Sequence, residues 1–239
     1  MRKVNSRGLA NVGLAAALVV ALTACTVSSQ CQGQATTSPT TKPALGTPPA
    51  SLADLSKSGL SLYDAAGKSD WTATVAALAT LKTKFSQVQK DIAKPTADQK
   101  KHETEIAADI STVGKAVAAK QRNVVMLRAN RIVRVTSVIV AEYDTKVPQS
   151  VSQLSYLARE LEVGAASSDM TTLKGLPDRM NAEWVKISPT LIAKGGDDQV
   201  KAYGDVLAKL KTGATADDYA KQAQPLLDTM DKIAALYSK

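Results

Sequence analysis

The chain has 239 residues and a formal net charge of +8, with one His, two Cys and only 4% aromatic residues. One imidazole permits at most one His-based catalytic arrangement, two Cys and one His exclude a structural zinc cluster, and so few aromatics leave little platform for stacking on nucleic acid. The length suits one large domain or two small ones.

Residues 1–24 read as an export signal. Arg2, Lys3 and Arg7 precede an apolar run from Leu9 to Leu22, short of the ~20 residues that a membrane span needs. The run ends in Leu22-Thr23-Ala24-Cys25, which resembles the lipobox of bacterial lipoproteins. The resemblance implies that Cys25 takes a diacylglyceryl group on its sulfur, becomes the mature N-terminus and anchors the chain to a bacterial membrane, facing outside the cytoplasm. Two acyl chains hold a protein at a membrane far better than one. Cys31 is the other thiol; Ser28 and Gln30 before it do not fit the lipobox. Residues 25–50 are expected to be the lipidated Cys and a disordered tether rich in Ser, Thr, Gln and Pro, with Lys42 as its only charge. Its prolines disfavour helix, and its apolar surface is too small to offset ordering entropy.

From Ser51 onward the pattern is helical, without sustained alternation or a hairpin signal. With Asp70, Gln121, Asp169 and Asp218 set as equivalent origins, the chain repeats every 51, 48 and 49 residues. Apolar columns fall at Leu55, Ile106, Leu154 and Tyr203, at Leu62, Val113, Leu161 and Leu210, and beyond the origins at Leu81, Ile132 and Met180. A column of small residues, Ala65, Ala116, Gly164 and Gly213, lies five before each origin. The fold predicted is therefore all-α: four helix–turn–helix units, each a shorter helix followed by a longer one. Asp70 and Asp169 are read as helix caps. The units group into halves 51–147 and 150–239, divided at Val147-Pro148, with Lys94-Pro95 and Gly195-Gly196 in matching loops. Packing as antiparallel helical bundles follows, either as two four-helix units or, if each unit is one bent helix, as a single elongated bundle. The turn at Lys120-Gln121 is the least marked. Pro177 implies that its helix starts late or kinks. Trp71 and Trp184 are expected in the core or in a groove.

Two clusters are candidates for chemistry. Between Asp109 and Glu142 there is no acid but a run of bases, among them Lys120, Arg122, Arg128, Arg131 and Arg134. The last three are spaced by three along one helical flank, a pattern that suits anionic lipid heads or wall polymers. His102, Glu105 and Asp109 share a helix face, where imidazole and carboxylate can bind a metal ion. Exported helical proteins of the imelysin group carry a Gly-x-His-x-x-Glu motif. The chain is similar in His102-x-x-Glu105, with Lys100 in the glycine's place. That resemblance implies a metal-binding role in iron or copper uptake. No phosphate loop, Gly-x-Ser-x-Gly elbow or HExxH is present. Carboxylates such as Glu160 and Glu162 are two apart and do not face each other. The expectation is a non-enzymatic, lipid-anchored envelope protein with no cofactor. Its partners would be the membrane and a protein, polymer or anionic lipid, not nucleic acid.

Overall fold

The computed structural model describes residues 45–238; Cys25, Cys31 and the signal segment lie outside them. Among the described residues there are eight α-helices and no strand. They are α1 (Ala50–Gly67), α2 (Trp71–Asp91), α3 (Ala97–Ala118), α4 (Arg122–Val140), α5 (Gln149–Ala166), α6 (Met170–Ala193), α7 (Asp197–Thr212) and α8 (Ala216–Ser238).

Four of the turns share one chemistry, three of them at the repeat origins and the fourth at Gly195-Gly196 between α6 and α7. At the end of α1, Ser69 N–H donates to Ala66 O (2.8 Å) and Asp70 N–H to Ala65 O (3.1 Å). The same pair of bonds runs from Lys120 to Val117 and Gln121 to Ala116, and from Ser168 to Ala165 and Asp169 to Gly164. This is the Schellman arrangement, which needs a left-handed residue at its hinge. Ser69, Lys120 and Ser168 supply it with φ of 55°, 52° and 53°, although none is glycine. Ala65, Ala116 and Gly164 of the small column carry carbonyls that close these turns. A Cβ on Gly164 would stand 3.1 Å from Leu173 Cδ2 of the next helix. The closing residue then caps the following helix. Asp70 Oδ1 accepts from Ala73 N–H (3.0 Å) and Asp169 Oδ1 from Thr172 N–H (3.1 Å), whereas Gln121 makes no such bond. So the Lys120-Gln121 turn is real, and helices α3 and α4 are separate.

The fourth origin departs from this scheme. Gly213 is extended (φ −62°, ψ 128°), and its small size leaves room for the Tyr219 ring, 3.2 Å from a built Cβ. Asp218 is not a cap but the third residue of α8. Its Oδ2 accepts from the N–H groups of Ala214 and Thr215 and from the Thr215 hydroxyl, while Asp218 N–H donates back to Thr215 Oγ1. That is a capping box with Thr215 as the cap. The short-then-long rule also fails in the second unit, where α3 has 22 residues and α4 has 19. A second capping box, Thr96 with Gln99, starts α3 directly after Pro95. Helix α6 runs through Pro177 and Pro189 without starting late. Residues just ahead of α1 are paired to the helical unit. Leu45 N–H donates to Glu142 O (2.9 Å) and Asp144 N–H to Gly46 O (2.7 Å), and Ala50 already belongs to α1.

Two apolar clusters fill the interior. Helices α1 to α4 enclose the first and α5 to α8 the second, but Val163 of α5 reaches into the first. In each, consecutive helices touch, and the last returns to the first: α4 packs on α1, and α8 on α5. Short links make these neighbours antiparallel. The predicted columns are interior: Leu55, Ile106, Leu154 and Tyr203 are fully buried, as are Leu62, Val113 and Leu161. Trp184 is buried and stacks on Tyr203, with centroids 3.9 Å apart; Trp71 is half-buried against the first cluster.

Helices α1 and α4 approach closely at Gly59. A Cβ on Gly59 would lie 2.7 Å from Val133 Cγ2 and 3.5 Å from the Ala129 carbonyl oxygen. A β-branched neighbour has little rotameric freedom to withdraw. Gly59→Val is therefore expected to lower unfolding free energy by about 1–3 kcal/mol, read from urea denaturation. The Asp218 box gives a pH signature. Bonds from the Thr215 backbone, the Thr215 hydroxyl and the Ala214 backbone hold its carboxyl below the ordinary carboxylate value. Its contribution is complete above pH 3.8 and is lost as pH falls through the lowered folded value. The Tm difference between wild type and Asp218→Asn should be full at neutral pH and shrink in that acid window.

Candidate functional site

Asp109 organises the charged face shared by α3 and α4. It sits on α3, almost fully buried at 2% exposure, one turn beyond Glu105 and opposite the flank of α4. Arg128 Nη1 donates to its Oδ1 at 3.1 Å, and Arg131 Nε lies 3.4 Å from Oδ2. Arg131 Nη2 also approaches Glu105 Oε2 at 3.9 Å, the same oxygen that faces His102 Nδ1 at 3.9 Å. Burial pushes the Asp109 carboxyl up from its ordinary value; the Arg131 charge and the Arg128 hydrogen bond and charge pull it back, and Glu105 adds to the rise. The two guanidiniums thus offset a desolvation cost rather than create a surplus of binding power.

This geometry bears on the metal reading. His102, Glu105 and Asp109 do lie along one helix face, but Asp109 faces two cations instead of its helix neighbours. Among the described residues no group of three His, Cys, Asp or Glu side chains is placed to hold a metal ion.

The basic run is likewise turned inward. Besides Arg128 and Arg131, Arg122 Nε donates to Gly67 O across the α1–α2 turn (3.0 Å), and the Arg134 guanidinium lies over the Tyr156 ring, 5.5 Å from its centroid. Lys120 is exposed at its left-handed turn. The flank that reads as an anion-binding strip is largely the seam that ties α4 to α1, α3 and α5. Glu160 and Glu162 diverge as their spacing requires: Glu160 pairs with Arg179 (3.0 Å), and Glu162 accepts the Tyr63 hydroxyl (2.7 Å).

A second polar assembly escaped the sequence reading. Tyr63 of α1 reaches α5, donating to Glu162 Oε2 and lying 3.2 Å from the Arg159 carbonyl oxygen. Burial, with the Glu162 hydrogen bond and charge behind it, pushes the Tyr63 phenol far above its ordinary value, so it stays a donor. Beside it a cleft of about 410 Å³ opens between α1, α5 and α8. The local pattern gave no hint, because its residues are drawn from positions 63 to 231.

The Asp109 cluster makes a clear prediction. Asp109→Ala leaves Arg128 and Arg131 without their buried acceptor, and both are about one-third exposed. Unfolding free energy should fall by about 1–3 kcal/mol, measured by urea denaturation, with helical content unchanged.

No protein-family model matches this chain, and neither does any curated protein or solved structure.

Proposed function

We propose that the chain is a lipoprotein of the bacterial cell envelope, held by lipid on Cys25 outside the cytoplasm, whose helical unit binds a partner without catalysing a reaction. The observation that carries this reading is Leu22-Thr23-Ala24-Cys25 after a basic start and a short apolar run. A thiol is the nucleophile that the acylation needs, and the small residues before it admit a signal peptidase. None of the helices among the described residues is long and apolar enough to cross a membrane. The partner classes in keeping with an envelope address are a protein, a wall polymer or an anionic lipid head.

The helical unit itself reads as a product of internal duplication. Support comes from interior columns at corresponding positions and from the Asp70 and Asp169 caps that follow two of the origin turns. Helices α1 and α5 also begin alike. Each follows a proline, Pro49 (φ −56°, ψ 137°) or Pro148 (φ −59°, ψ 141°), and each proline carbonyl accepts a bond from the residue three further on.

Expression in a bacterium with a lipoprotein-processing pathway tests the anchor. Mass spectrometry should find the mature chain beginning at Cys25 and carrying the diacylglyceryl mass, and Cys25→Ser should shift the chain out of the detergent phase. An unmodified thiol on a secreted product would overturn the reading.

A further inference from the structure

The cleft between α1, α5 and α8 places charges of both signs around one space and keeps them apart. Arg159 and Glu162 of α5 and Tyr63 of α1 are its half-buried or buried part; Asp64, Lys68 and Asp231 stand exposed around it. Arg159 carries five N–H donors, yet its one hydrogen bond goes from Nη1 to Ser155 O, at a long 3.3 Å. Among the described residues no carboxylate lies within ion-pairing distance of it. Burial pushes its guanidinium pKa down, and the acidic groups nearby, Tyr63, Asp64, Asp231 and Glu162, oppose the fall through space. Glu162 cannot swing across freely, because the Tyr63 hydroxyl holds its Oε2 at 2.7 Å. A partly desolvated guanidinium with most donors unused is a strong donor site for a carboxylate.

The rest of the lining decides what accompanies that carboxylate. Three acids against two bases give the cleft a net negative charge, which disfavours a dianion such as phosphate. The same acids suit an ammonium group. The volume of about 410 Å³ falls in the range of small-molecule sites, roughly 300–1,000 Å³, and Leu227 offers an apolar wall.

We propose that this cleft binds a small zwitterion, an amino acid or a short peptide with free ends, its carboxylate on Arg159 and its ammonium between Asp64 and Asp231. The proposal deepens the binding role given above and rests on it, but not on the lipid anchor. Tyr63 acts as a positioning residue by keeping Glu162 away from Arg159.

Titration calorimetry of the full chain in detergent, with each of the twenty amino acids and a set of alanyl dipeptides as probes, tests this. At least one probe should bind saturably. Blocking either end of it, by N-acetylation or C-amidation, should abolish binding. Arg159→Gln and Asp231→Asn should each weaken it by about tenfold or more. Asp231 is exposed, so its variant decides the matter even if Arg159→Gln fails to fold. No binding by any probe, binding indifferent to both variants, tolerance of blocked ends, or equal binding of inorganic phosphate would each overturn the site. Failure here with the lipid mass present on Cys25 leaves the anchored reading intact; zwitterion binding by a chain without that mass overturns the anchor alone.

Discussion

Four of the eight helices end within three residues of the next one's start through a left-handed residue, and this constraint governs the rest. A helix leaves its last carbonyls unpaired, and a link of three residues has few ways to satisfy them. Here a residue with φ near +55° folds the chain back so that two N–H groups close on the helix just ended. The residue after the hinge, Asp70 or Asp169, then opens the next helix through its carboxylate. Only Gly195 among the four hinges is a glycine (φ 74°). At the other three the cost of placing a Cβ there, roughly 1–2 kcal/mol, is offset by the paired carbonyls and by the packing that the reversal permits. The link length then forces sequential helices to be antiparallel neighbours, and the two apolar clusters follow.

Within that frame α4 and α5 form the connection between the clusters. Asn130, fully buried on α4, donates through Nδ2 to the Tyr156 carbonyl oxygen at 2.9 Å. Arg134 covers the ring of the same tyrosine, and Tyr63 adds a third link from α1 to α5. These are polar joints rather than apolar ones, so they fix direction and register more than they add stability. The arginine-rich character of α4 belongs to this task. A helix with neighbours on three sides carries long side chains whose stems pack and whose heads reach acceptors on other elements.

The helices were legible in the sequence because helical burial is periodic: Leu55, Leu62, Ile106, Val113, Leu154 and Leu161 announce their faces at steps of seven. Caps were legible where an Asp or Thr precedes an apolar run. At the fourth origin Thr215 and Asp218 both suit a cap, and only the backbone tells which of the two precedes the helix. Charge partners were not legible. Arg128 and Arg131 show their spacing but not that Asp109, on another helix, lies between them, and a free basic strip and an internal seam have the same one-dimensional pattern. The cleft at Arg159 was beyond reach for the same reason, since its acids come from helices that meet only after folding. The docking of Leu45 and Gly46 was hidden too, because backbone pairing carries no side-chain signature.

That docking has a mechanical meaning. The chain enters the helical unit beside Glu142 and Asp144, at the segment that joins α4 to α5, and not at either far end of the helices. Tension arriving from the N-terminal side would load two backbone hydrogen bonds first, and then the waist where both clusters are coupled. A pull on the segment before α1 would thus reach the α4–α5 link, where Asn130 holds the Tyr156 carbonyl, through those two bonds.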